Sequence, residues 1–139
     1  MIIVLDSNVV VSGILQPFGK PAMILRLVAA GRLQCAYDLR IMAEYRDVLT
    51  RPKFGFSENQ VKAFLTQMEE EGLPVVAGPL TIRIPDPDDQ PFLEVALAAG
   101  AKALVTGDKK HFPKGAYREV KIVTPLEFLE RWGPQIGLS

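Results

Sequence analysis

The sequence is poor in the residues that build disulfide scaffolds and zinc sites. Its 139 residues include one cysteine, Cys35, and one histidine, His111. A single cysteine excludes an intrachain disulfide, and one cysteine with one histidine cannot complete a zinc cage. Cys35 lies in the apolar stretch 33–36, so we expect a buried, unreactive thiol. These features are typical of a reducing compartment, and we expect a cytoplasmic location.

The sequence also lacks a long hydrophobic run and an excess of either charge. No stretch of about 20 apolar residues occurs, so no membrane span is expected. The short apolar start, 2–5, lacks the basic segment and long apolar core of a signal peptide. Sixteen Lys and Arg balance sixteen Asp and Glu, whereas a protein that coats nucleic acid is usually strongly basic. Any contact with nucleic acid is therefore expected to be local.

The hydrophobic content and its periodicity favour a folded α/β protein. Hydrophobic residues make up 48% of the chain, which excludes disorder of the whole chain. Apolar, strand-favouring runs predict strands at 2–5, 33–37, 75–76, 80–84, 103–106 and 121–123. Apolar stripes and capping residues predict helices at 8–15, 21–30, 39–50, 58–71, 91–99 and 125–132. The alternation predicts one domain over 1–139, a three-layer α/β/α sandwich with a central parallel sheet.

Four acidic residues fall near the carboxyl ends of the predicted strands or on helices beside them. Asp6 directly follows the first strand, and Asp108 follows a later strand by one glycine turn. Asp89 lies at the start of the helix before that strand, and Glu44 lies in the helix after the second strand. Because open parallel sheets bind ligands beyond the carboxyl ends of their strands, we expect these acids at one rim.

Carboxylates gathered at one rim predict a divalent cation. Several carboxylates facing one space repel one another, so each must take up a proton or share a cation. Oxygen ligands suit Mg²⁺ or Mn²⁺ rather than zinc. Such an ion activates water and stabilises charge on a phosphate, which makes phosphodiester hydrolysis the natural reaction. The alternative for Asp6, Asp89 and Asp108 is that each simply caps a helix or a turn.

Four short motifs in chain order resemble those of PIN-domain nucleases. They are LDSN at 5–8, EYRDVL followed by RPKF at 44–54, DPDD at 86–89 and VTGD at 105–108. The resemblance runs from residue 2 to about residue 128 and so covers nearly the whole chain. The form of the second motif is similar to that of the PIN subgroup of VapC-like toxins from toxin–antitoxin pairs.

This resemblance implies a set of site residues. Asp89 is preferred as the third acid because it lies eleven residues before Gly100, as the helix acid of the family does. Asp86 and Asp88 remain alternative ligands, and Asp86 is otherwise a supporting residue. The implied catalytic and metal-binding acids are Asp6, Glu44, Asp89 and Asp108, and the implied polar supports are Ser7, Asn8 and Thr106.

The resemblance also implies a function, a Mg²⁺- or Mn²⁺-dependent endoribonuclease acting on single-stranded or loop RNA. The subgroup adds the expectation of a toxin with a small antitoxin protein as partner. Alternatives are an RNA-processing or flap-type nuclease that is not a toxin, and a PIN-shaped binding module without turnover. A phosphatase of the Asp-x-Asp type is disfavoured because Asn8 occupies the position of its second Asp.

Several other residues have both a functional and an ordinary interpretation. Arg40 either contacts RNA or forms an ion pair with Glu44 one turn away. His111 is expected to be structural or on the surface, and Phe54 and Phe56 to pack rather than stack on bases. Helices 39–50 and 58–71 suggest a homodimer. The candidate contacts to substrate phosphate, each otherwise a solvated cation, are Arg51, Lys53, Lys109 and Lys110.

Overall fold

The centre of the protein is a five-stranded parallel sheet. The structure, a computed structural model, describes residues 1–79, 84–112 and 119–137. The strands lie in the order β3-β2-β1-β4-β5, and every neighbouring pair is parallel. The chain builds the sheet outward from β1 in one direction and then from β4 in the other, so the topological switch point lies between β1 and β4. The strands are β1 (Ile2–Leu5), β2 (Gln34–Tyr37), β3 (Leu73–Pro74), β4 (Ala103–Val105) and β5 (Lys121–Val123).

Helices cover this sheet and complete the three-layer α/β/α arrangement expected from the sequence. α2 packs against α1 and α6, while α3 packs against α4 and α5. In the ranges that the structure describes, none of the helices has the length and apolarity needed to cross a bilayer. The helices are α1 (Ser7–Leu15), α2 (Lys20–Ala29), α3 (Leu39–Leu49), α4 (Glu58–Glu71), α5 (Gln90–Ala99) and α6 (Pro125–Trp132).

The third strand was wrongly predicted at 75–76, two residues too late. The chain enters the sheet directly after Gly72, which ends α4 in an extended conformation. A side chain at Gly72 would meet the carbonyl oxygens of Met68 and Cys35, so glycine permits this close approach. The other predicted elements agree with the structure to within one residue at each end, except the strand at 80–84. Of that strand only Ile84 is described, and it is buried outside any strand.

The core sits around the central strand β1 and its neighbour β4. Their inward residues Val4, Leu5 and Leu104 are completely buried, which is the main favourable contribution to folding. The apolar stripe predicted on α3 is also buried, from Ile41 to Leu49. Cys35 is buried, as expected, and this burial raises the pKa of its thiol to about 12, which disfavours the reactive thiolate.

Candidate functional site

Pairing of β1 with β4 brings Asp6 beside Thr106 at the switch point. Leu5 is in register with Val105, and the Asp6 backbone N–H donates to the Val105 carbonyl at 2.9 Å. The Thr106 hydroxyl donates to Asp6 Oδ2 at 2.7 Å, and the Ser7 backbone N–H donates to Asp6 Oδ1 at 2.8 Å. Asp6 and Thr106 are both buried. The carboxylate of Asp6 is therefore held in one position just beyond two strand ends.

Asn8 ties the loop after β4 to the start of α1. The Gly107 backbone N–H donates to Asn8 Oδ1 at 3.0 Å, and Asn8 Nδ2 donates to Asp6 Oδ2 at 3.4 Å. A Cβ at Gly107 would lie 3.3 Å from Asn8 Oδ1, so glycine suits this close contact. The Asp108 backbone N–H donates to the Thr106 hydroxyl at 3.2 Å. These bonds keep Asp108 on the same rim as Asp6.

Of the three adjacent acids before α5, only Asp89 turns inward. Asp86 accepts a hydrogen bond from the Asp88 backbone N–H at 2.9 Å and so caps the one-turn 3-10 helix Pro87–Asp89. Asp86 and Asp88 are exposed, whereas Asp89 is 9% exposed. Its carboxylate does not cap α5, so the capping alternative is wrong for Asp89. That alternative does describe Asp6 and Asp108, whose carboxylates accept from Ser7 and Lys110.

Electrostatic coupling links the four acids through Asp6. Burial raises the pKa of Asp6, and the charge of Asp108 adds to this, while the hydrogen bond from Thr106 lowers it. Burial, followed by repulsion from Asp6, raises the pKa of Asp89 to about 6. Glu44 is half-buried on α3. Its pKa is raised by burial, then by the charges of Asp88 and Asp47, and also by that of Asp6. Asp6, Glu44 and Asp89 thus resist ionisation first because they are buried and then because other acids are near.

Comparison with known families identifies the chain. A family model described as PIN domain matches residues 2–110, a stretch that holds β1 to β4 and all four acids. The chain belongs to the PIN-domain family. Members of this family are generally nucleases and typically use divalent metal ions. No curated protein shows significant similarity to the chain.

His111, which was expected to be structural or on the surface, lies at this PIN-domain rim. Its Nε2 lies 3.2 Å from Asp108 Oδ2, and its Nδ1 lies 3.2 Å from Asp89 Oδ2. The available signal was its position three residues after Asp108, since the one-turn 3-10 helix Lys109–His111 returns residues three apart to the same side. The ring therefore lies between two of the acids, although its side chain is half exposed.

The ion pair expected between Arg40 and Glu44 is not formed. Arg40 instead contacts Glu94 Oε1 at 2.6 Å and Asp38 Oδ2 at 2.8 Å. Glu94 is buried, and a buried carboxylate requires a charged or hydrogen-bonding partner far more than the half-buried Glu44 does. The pair joins the first turn of α3 to α5, so it fixes the helix of Glu44 against the helix that follows Asp89.

The four basic residues that are candidates to contact substrate phosphate differ in the partners that they already have. Lys109 Nζ lies 2.9 Å from Glu127 Oε2, and Arg51 pairs with Asp47 at 3.0 Å. Lys53 Nζ lies 5.0 Å from the ring centre of Phe54. Lys110 is exposed beside Asp108. Phe54 and Phe56 stack on each other and pack against the core, as expected.

The chemistry of the rim fits a hard divalent cation. Ser7 Oγ is buried without a hydrogen bond, which is costly for a polar atom. The buried Asp89 Oδ2 has a contact at 3.2 Å with Nδ1 of the half-exposed His111 ring. Within residues 1–79, 84–112 and 119–137, no three Asp, Glu, His or Cys side chains are close enough to hold a metal ion as they stand. A cluster that holds an ion therefore requires the acids to turn toward one another.

Proposed function

We propose that this PIN domain is a Mg²⁺- or Mn²⁺-dependent endoribonuclease. The acids that hold the ion are Asp6, Glu44, Asp89 and Asp108. The observation that supports this most is the buried carboxylate of Asp6, which Thr106 and Ser7 hold at the switch point. Burial first, and the charge of Asp6 in addition, raise the pKa of Asp89 and Glu44. Buried carboxylates that repel one another gain most from a shared cation.

The residues of the rim divide the work of phosphodiester hydrolysis. A divalent ion held there supplies a Lewis acid that activates water and neutralises charge on the phosphate. Thr106 and Ser7 hold the Asp6 carboxylate still through the hydrogen bonds described above. Asn8 keeps the loop of Asp108 against α1. Lys110, exposed beside Asp108, supplies a positive charge for a backbone phosphate.

The remaining basic candidates serve the substrate more distantly or already have a partner. Lys109 has one of its three N–H donors left for a phosphate while it pairs with Glu127, because both carboxylate oxygens of Glu127 accept from its ammonium group. Arg51 and Lys53 lie beyond the end of α3 at Leu49, and Arg51 already pairs with Asp47. The balanced net charge favours a few local contacts to RNA outside duplexes, where backbone and bases are accessible.

The toxin role is a narrower proposal that rests on the form of the second motif. A small antitoxin protein that inserts a basic residue among the acids would silence the site by charge neutralisation. A homodimer through α3 and α4, and a cytoplasmic location, belong to the same proposal. A reading frame for a short DNA-binding protein beside the gene supports the role, and a stand-alone gene argues against it.

The decisive assay compares cleavage of a structured RNA in Mn²⁺ by the wild type and by Asp6→Asn. Asn is isosteric and can still accept the hydrogen bond from Thr106, so the fold should persist with unchanged circular dichroism. We expect activity to fall by at least about tenfold. Loss of a carboxylate that binds the ion should weaken metal binding at least as much as loss of a residue that only orients a ligand. Asp47→Asn, an exposed acid on α3, is the matched control and should retain activity.

Two results would contradict the proposal. Equal cleavage by the wild type and Asp6→Asn would remove Asp6 from the mechanism. Failure of the wild type to bind Mn²⁺ or to cleave any RNA would favour the binding-module alternative. Competition between RNA and branched DNA separates an RNA-directed enzyme from a flap-type nuclease, because only the latter would be inhibited more strongly by the DNA.

A further inference from the structure

A buried hydrogen bond connects the neighbours of two of the proposed ligands. Tyr45 follows Glu44 on α3, and its hydroxyl donates to the carbonyl oxygen of Leu5 at 2.5 Å. Leu5 is the last residue of β1 and directly precedes Asp6. Tyr45 is 1% exposed. This one buried hydrogen bond therefore fixes the position of α3 relative to the end of β1, which Asp6 directly follows.

The Leu5 carbonyl lies beyond the last residue of β1 that pairs with β2. Toward β4, the paired residues of β1 continue to Leu5. Toward β2, they end at Ile3, which pairs with Cys35. A buried carbonyl beyond the end of a ladder needs another donor, and the Tyr45 hydroxyl is that donor. The bond is therefore specific to the hydroxyl, and ring packing alone does not replace it.

The ring of Tyr45 also contacts the element that carries the third acid. Its centroid lies 6.1 Å from that of Phe92 on α5, and Phe92 follows Asp89 by three residues. On its other side the ring packs edge-on against Phe64 of α4 at 5.7 Å. A single side chain thus touches β1, α4 and α5 while it belongs to α3.

We propose that Tyr45 is a positioning residue of the metal site, whose hydroxyl fixes the separation of Glu44 from Asp6. Its role toward the ion rests on the proposed function, whereas its effect on the spacing of the two acids does not. Partners that orient metal ligands from outside typically matter ten- to a hundredfold for metal affinity. Tyr45 acts through the backbone of its neighbours and does not itself touch the ion.

The test pairs Tyr45→Phe with Tyr37→Phe. Tyr37 is also buried, and its hydroxyl also donates to a backbone carbonyl, that of Glu69 on α4, at 3.2 Å. Each variant loses one such hydrogen bond, so a general loss of stability should be similar in both. The readouts are the Mn²⁺ dissociation constant from calorimetry and the side-chain carboxyl ¹³C shifts of Asp6 and Glu44 in the metal-free protein.

We expect Tyr45→Phe to bind Mn²⁺ about tenfold more weakly and to move the carboxyl signals of Asp6 and Glu44. Tyr37→Phe should match the wild type in both measurements. Replacement of Tyr45 by 4-aminophenylalanine restores a donor at the same place and should recover both readouts. Near-ultraviolet circular dichroism verifies that each protein is folded before the comparison is made.

The outcomes that overturn the inference are distinct from failure of the proposed function. Unchanged affinity and unchanged carboxyl shifts in Tyr45→Phe overturn it, and so does an equal loss in Tyr37→Phe. Loss of folding in Tyr45→Phe, or no recovery with 4-aminophenylalanine, overturns it as well. If the wild type binds no Mn²⁺, the proposed function fails, and the metal-free carboxyl shifts alone decide whether Tyr45 positions the two acids.

Discussion

At the scale of one residue, the carboxyl group of Asp89 shows how burial and a neighbouring negative charge change the pKa of an acid. Its ordinary pKa of 3.8 is raised to about 6, first by burial and then by the charge of Asp6. The folded, metal-free protein therefore holds this proton more tightly than the unfolded chain does. The stability that results is complete below about pH 4 and is lost as the pH rises through 6.

Asp89→Asn should remove this pH dependence because an amide does not ionise. Between pH 4.5 and pH 7.5 we expect the free energy of unfolding of the metal-free wild type to fall by about 1–2 kcal/mol more than that of the variant. Urea titrations at both pH values, with chelator present, measure the difference. Glu70→Gln, at an exposed acid of α4, should behave like the wild type. Parallel pH profiles for the wild type and Asp89→Asn would show that Asp89 does not titrate with a raised pKa in the folded protein.

The sequence predicted the position of some single residues of the site and not of others. The family resemblance, through the spacing to Gly100, favoured Asp89 among three nearby acids. In the structure Asp89 is buried, whereas Asp86 caps a 3-10 turn and is exposed. The place of His111 beside Asp89 and Asp108 was not predicted, because it depends on a short 3-10 turn after β4. Turns of this kind have weak sequence signals.

At the scale of elements, the ion pair between Arg40 and Glu94 joins α3 to α5. Arg40→Met keeps the apolar stem but removes the cation, so the buried Glu94 loses a charged partner. We expect a loss of about 1–2 kcal/mol in the free energy of unfolding, at the lower end for a charged hydrogen bond because Arg40 is 45% exposed. Thermal or urea unfolding measures it.

The matched control for this prediction is Arg51→Met. Arg51 pairs with Asp47 within α3, and Asp47 is 68% exposed. Surface pairs of this type contribute roughly 0–1 kcal/mol, so we expect little change. If both variants lost the same stability, the brace between α3 and α5 would have no special role.

Elements with local signals were predicted well, whereas one element without such a signal was not. The capping boxes at Ser57 and Thr124 are both formed, and their helices have the predicted bounds. β3 was misplaced because Val75 and Val76 have higher strand propensity than Leu73 and Pro74. Proline is tolerated in β3 because this strand lies at the edge of the sheet.

At the scale of the whole molecule, the strand order decides that the acids can meet. Alternating strands and helices predicted a parallel sheet, but periodicity alone cannot tell which strands are neighbours. The order β3-β2-β1-β4-β5 puts the ends of β1 and β4 side by side, and this pairing brings Asp6 to Thr106 across about a hundred residues of chain. The family resemblance supplied what the residue pattern left open.

The measurement that tests the central claim most directly is anomalous X-ray diffraction at the manganese edge, from crystals of the full chain grown with Mn²⁺. The proposed site predicts a peak at the rim about 2 Å from a carboxylate oxygen of Asp6 and from one of Asp89 or Asp108. A crystal with Mn²⁺ bound only elsewhere, and with these carboxylates still apart, would contradict a shared ion and the nuclease built on it.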